Sequence, residues 1–119
     1  MDTDSVKGAG SDPEFVQLEE AKQAIAWFDK EFKDQQIIWT GDFNVNPSSK
    51  TYRLIVEQGK FIDSWKRCQT VGDGLTFPSD VPKDRIDYVF TRNIDAPCAA
   101  SVTKTLASDH RPVFVKFVF

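Results

Sequence analysis

The chain is poor in the residues most often used for metal and redox chemistry: 119 residues hold one histidine, one methionine and two cysteines. Two thiols cannot build the multi-bridge framework of a small disulfide scaffold, and the spacing of Cys68 and Cys98 matches no zinc pattern. They are read as unpaired, with a single disulfide as the open alternative. No apolar run approaches the roughly 20 residues needed to cross a bilayer. Residues 1–10 lack the basic-then-apolar layout of a secretory leader, so the expected setting is cytoplasmic or otherwise intracellular. Internal repeats and low-complexity tracts are also missing.

A charge excess is missing too. The formal net charge is -3, but residues 1–15 hold four acidic side chains and one basic, leaving 14 of each in the body. A protein that grips long duplex through its phosphates carries a basic face. This balance argues against a tight or processive DNA binder, though not against an enzyme that meets one phosphate at a time.

What the sequence does have is hydrophobic patterning. Residues 1–15 read as a flexible segment. Gly10 to Phe15 fits a cloning-site remnant and equally a native helix start, with Asp12 as N-cap and Pro13 at the first helical position. Leu18, Ala21, Ile25, Phe28 and Phe32 recur at helical steps from Val16 to Lys33. Ile37 to Thr40 is a short buried strand. Asn46-Pro47 predicts a cap and first turn of a helix ending at Gly59. Residues 69–84 are loop-like. Three strands follow: Arg85 to Thr91, Ser101 to Leu106, and Val113 to Phe119, the last apolar enough to predict burial on both faces. Helix, strand, helix and then strands make an α/β domain over residues 16–119.

Three short constellations sit where strands meet loops, which is where open α/β sheets gather ligand groups. Asp42 and Asn44 lie in Gly41-Asp42-Phe43-Asn44, also a good turn sequence. In Arg85-Ile86-Asp87-Tyr88, Ile86, Tyr88 and Phe90 alternate against Asp87 and Val89, so Asp87 lies inside a strand, either on an exposed face or with a partner such as Arg85 or a lysine. The only histidine, His110, stands in Ser108-Asp109-His110-Arg111-Pro112. A lone histidine is often incidental. Asp109 beside it nevertheless offers a metal-seeking carboxylate, and Asp87 is a candidate to fix the imidazole tautomer.

In this order and with these flanks, the set resembles the endonuclease/exonuclease/phosphatase superfamily. The resembling residues are Trp39 to Asn44 with Pro47, Asp63-Ser64-Trp65, Thr76-Phe77-Pro78, Arg85 to Tyr88 and Ser108 to Val113. The resemblance implies the C-terminal half of a DNase I-like four-layer α/β sandwich, with a mixed sheet and helices on one face. It implies a metal-dependent phosphoester hydrolase in which Asp42 aligns or deprotonates water and Asn44 bonds the phosphate. His110 would contact the scissile phosphate, oriented by Asp87, and Asp109 would bind Mg²⁺ (or Mn²⁺). Thr76 and Phe77 would shape the substrate wall.

The forms around Asp42 and Asp87 lean towards a phosphodiester substrate, nucleic acid slightly ahead of phospholipid. The N-terminal half of the family's fold, with its principal glutamate ligand, has no counterpart here, so the isolated chain is expected to be nearly inactive. A non-catalytic binding or assembly module of the same fold is the alternative. The sheet face that the other half would cover is expected to drive self-association, in the manner of a homodimer. Light scattering over a broad concentration range should show mass rising above 13.5 kDa; a clean monomer throughout would rule this out.

Overall fold

The computed structural model describes residues 13–119. Asp12 and most of the expected flexible segment lie outside the described residues. Helix α1 runs Pro13–Glu31, so Pro13 does occupy the first helical position, where its missing N–H costs nothing. Val16, Ala21 and Ile25 are buried, and Leu18 and Phe28 pack beside them. Among the described residues, no helix is long and apolar enough to cross a membrane.

Strand β1 (Ile37–Asp42) pairs antiparallel with β4 (Asp87–Arg92), from Ile37 opposite Arg92 to Asp42 opposite Asp87. The two-residue β2 (Ile62–Asp63) joins the other side of β4. The inner face of this sheet is aromatic: Tyr88 stacks on Phe90, and Trp39, Phe43 and Phe61 join them in tilted and edge-on pairs, Trp39–Phe61 at 5.3 Å and Phe43–Phe90 at 5.2 Å. Such edge geometry suits the ring quadrupole. With Ala21, Ile25 and Ile55 these rings form the core. The outer face carries Ile38, Thr40, Asp42, Asp87 and Val89, and Ile38 is half exposed.

The second helical segment departs from expectation at its start. Its N-cap is Ser49, whose Oγ accepts from Tyr52 N, and the α-helical turn α2 (Lys50–Arg53) passes into a π-helical turn, Leu54–Gln58. Asn46 is therefore not the cap. Its side chain is taken by the distant segment before β4, a competitor that local pattern does not show. Asp63 caps the short α3 (Ser64–Arg67) through Trp65 N.

A second three-stranded sheet orders β3 (Gln69–Thr70), β5 (Cys98–Val102) and β6 (Val113–Phe117), with β3 parallel and β6 antiparallel to β5. Two expectations are corrected here. Strand β5 starts three residues earlier than predicted. Strand β6 lies at the edge of its sheet rather than inside it, with Phe114 57% exposed and Val118, just past its end, 59% exposed. An apolar run shows that residues avoid water, not that anything covers them.

The cysteines are also corrected, because Cys68 and Cys98 form a disulfide. Gln69 pairs with Ala99 in parallel register, so the residues just before them stand side by side, Cα atoms 4.9 Å apart. That spacing is within the range a bridge needs. Closing a loop of 30 residues of separation should stabilise the fold by about 3–4 kcal/mol through the entropy of the unfolded chain. Urea unfolding with and without dithiothreitol should show that loss. An unchanged midpoint would show that the bridge constrains nothing.

Candidate active site

Asp42 ends β1 and Asp87 begins β4, directly opposite each other on the outer face. Two carboxylates in that arrangement repel unless a cation lies between them. His110 supplies it. Its Nδ1 is 2.8 Å from Asp87 Oδ2, and its Nε2 is 3.5 Å from Asp42 Oδ2. The first is a short charge-assisted hydrogen bond; the second is a looser ion-pair distance. The Asp87 hydrogen bond is the main cause of a raised His110 pKa. Burial works against it, and the charges of Asp87, Asp42 and Asp109 add to it.

Local sequence places each group. Phe43 and Val45 are buried while Asp42 and Asn44 are exposed, so the motif alternates across the end of the sheet. Asp42 Oδ1 accepts from Asn44 N at 2.9 Å, and Asn44 takes a left-handed φ of 55° that asparagine tolerates. The buried ring of Phe43 and its backbone bond to Ile86 O hold the turn down. His110 rests against the ring of Phe77, centroids 4.8 Å apart. The cleft over Asp42, Asp87 and His110 measures ≈500 Å³.

Three residues outside the expected set frame this site. Asn46 bridges two loops: its Nδ2 donates to Asp84, and its Oδ1 accepts from Arg85 N. Arg85 makes a bidentate pair with buried Asp63, at 2.7 and 3.2 Å. Burial opposes the charge on Arg85, but the Asp63 bonds outweigh it and its pKa rises. Arg111 stitches the His110 loop to residues 76–79 through its backbone N to Thr76 O and its Nε to Ser79 O. The chain offered one signal for Arg85, its place inside the motif around Asp87; the partners of Asn46 and Arg111 are long-range and left none.

One expected role changes. Thr76 is fully buried and its Oγ1 accepts from Ile86 N, so it supports the scaffold and does not wall the substrate. Asp109 is exposed, but the acidic and imidazole groups that lie within 4.8 Å of one another are Asp42, Asp87 and His110. The backbone carbonyl of Asp109 accepts from Ser79 N, and its side chain stays exposed. Asn44 and Phe77 flank the cluster.

A model of the endonuclease/exonuclease/phosphatase family matches residues 17–110. The chain belongs to this family. No curated protein gives a significant match. Among solved structures, a mannosyl-6-phosphatase of Bacteroides thetaiotaomicron aligns over 94% of this chain and 47% of its own, at 24% identity and TM-score 0.75. A family member from Bacteroides thetaiotaomicron aligns over 84% and 43%, at 25% identity and TM-score 0.70. The beta toxin of Staphylococcus aureus aligns over 97% and 49%, at 20% identity and TM-score 0.68. The chain therefore has the α/β DNase I-like fold and spans about half the length of the family structures it resembles.

A histidine held charged by Asp87 contributes stability that is fully present below the unfolded pKa of about 6.5 and lost as pH rises through the raised folded value. Asp87→Asn should lower the His110 pKa measured by NMR titration. Its stability deficit against wild type should be largest near pH 6 and shrink as the pH is raised above the folded pKa. A titration curve unmoved by Asp87→Asn would refute the pairing.

Proposed function

We propose that this chain carries one wall of a phosphoester hydrolase site, in which His110, Asp87, Asp42 and Asn44 act on the phosphate and its attacking water. The observation that carries the reading is the imidazole set between two carboxylates. The tight Nδ1 bond to Asp87 fixes the ring, leaving the loosely held Nε2–H to meet a non-bridging phosphate oxygen. Asp42 takes the proton of the attacking water as its oxygen bonds to phosphorus and the bond to the leaving oxygen breaks. The Asn44 amide donates to a second phosphate oxygen. Donors aimed at developing negative charge stabilise the transition state more than the ground state.

By the resemblance Asp109 would hold a hard cation, and Asp42 offers a second exposed carboxylate, since Mg²⁺ is commonly held by one or two carboxylates together with substrate phosphate oxygens. Mn²⁺ suits the same oxygen donors. When bound, the cation would neutralise charge on the phosphate. His110 is a poor ligand as placed, because both ring nitrogens face carboxylates.

On substrate, the resemblance around Asp42 and Asp87 favours a phosphodiester, with nucleic acid slightly ahead of phospholipid. The phosphatase among the structural relatives is a phosphomonoesterase by its name, which keeps both ester classes in the test. A non-catalytic binding or assembly module of the same fold is the second reading. Under either reading, the outer sheet face is where the remaining half of the sandwich would pack. The Cys68–Cys98 bridge is of a kind that persists in oxidising compartments.

Hydrolysis of bis(p-nitrophenyl) phosphate and of p-nitrophenyl phosphate tests the reading. A weak Mg²⁺-dependent rate should fall at least about 100-fold in His110→Ala, the scale of a general acid–base or charge-stabilising group. A rate that needs the metal but ignores His110 would remove this residue from the chemistry.

A further inference from the structure

Arg111 has one end tied and the other free. Its backbone N–H donates to Thr76 O at 2.7 Å, and its side-chain Nε donates to Ser79 O at 2.8 Å. No carboxylate among the described residues pairs with it, and its two Nη groups have no protein acceptor among those residues. Arg111 is half-buried and lines the cleft that holds Asp42, Asp87 and His110. It is the one lysine or arginine among the described residues that line this cleft.

The charge of the cleft makes that isolation meaningful. Two carboxylates against one imidazolium leave the cluster with an excess negative charge, the wrong sign for an anionic substrate. A guanidinium whose Nε is anchored presents its two terminal N–H₂ groups as a fork with little rotamer freedom left to lose. That fork matches two oxygens of a phosphate in one plane. Fixing the donor before binding reduces the ordering cost of association.

We propose that Arg111 is a substrate-contacting residue, whose terminal Nη groups bind the non-bridging oxygens of a phosphoryl group in this cleft. The inference rests on the phosphoester reading of the same site and adds its anion-binding cation. The resemblance assigned no role to this position, and its side chain is distinct from the four groups placed in the reaction.

Inorganic phosphate, in metal-free buffer, is the probe. Binding to the full chain is followed by NMR shifts of the His110 ring and the Arg111 side-chain N–H, for wild type, Arg111→Gln, Arg111→Lys and His110→Ala. Arg111→Gln should weaken phosphate binding at least about tenfold, the loss of one charge-assisted bidentate contact. Arg111→Lys, which keeps the charge and loses the fork, should fall between it and wild type. The ring proton of His110 bonded to Asp87 should persist in both variants, showing that the loop is intact.

Phosphate binding by Arg111→Gln equal to wild type would overturn the proposal. If His110→Ala then loses binding, the phosphoester reading stands without Arg111. Binding that needs Arg111 but not His110, in a chain with no Mg²⁺-dependent hydrolysis, would keep the anion site and overturn the catalytic reading. A wild type that binds no phosphate would overturn both.

Discussion

Arg85 and Asp63 meet as a bidentate ion pair in the interior, with side chains 9% and 2% exposed. Removing two charges from water is expensive, and a pair of this kind contributes little net stability over an apolar replacement. What it fixes is position. Asp63 also accepts from the hydroxyl of Tyr52 and from Trp65 N, so one carboxylate joins β4's approach to the second helical segment and caps α3. Burial first, and Asp63 second, push the Tyr52 hydroxyl above its ordinary pKa, which keeps it a donor. Arg85 lies over the ring of Tyr88, whose hydroxyl reaches the carbonyls of Val45 and Arg85. The segment delivering Asp87 is thus held from several sides, and α3 leads on to the Cys68–Cys98 bridge.

On that frame the site solves a charge problem in one step. Antiparallel register forces Asp42 against Asp87, and His110 arrives from a separate loop to lie between them. The loop is laced to residues 76–79 by Ser79 N to Asp109 O and by both donors of Arg111. Two carboxylates facing one cleft are costly for a resting protein, and an imidazolium set between them offsets that cost. Stability and the proposed chemistry draw on the same hydrogen bond to Asp87.

Much of this was legible in the chain because its signals are local. The short strand before Gly41 placed Asp42 and Asn44 at its end, alternation around Tyr88 placed Asp87 in a strand, and the family's motif order tied His110 to them. What escaped depended on partners far along the sequence. Asn46 looked like a helix cap until Asp84 and Arg85, 38 and 39 residues away, claimed its amide. The disulfide required the parallel register of β3 with β5, which no local pattern encodes. Thr76 read as a wall residue because its motif adjoins the site, yet its hydroxyl faces inward to Ile86 N. Strand β6 was apolar enough to suggest an interior position, though it lies at a sheet edge with Phe114 and Lys116 exposed.

The most direct test of the frame is the urea-unfolding free energy of Asp63→Asn. Asparagine keeps an oxygen for Trp65 N and a polar partner for Tyr52, so the substitution mainly strips the charge from Arg85's partner. The account predicts a loss of about 3–5 kcal/mol, the cost of leaving a buried charge unpaired, together with loss of the hydrogen-bonded His110 ring proton. Wild-type stability with that proton unchanged would show that the site is held by its strands alone, and that the buried pair is not what positions it.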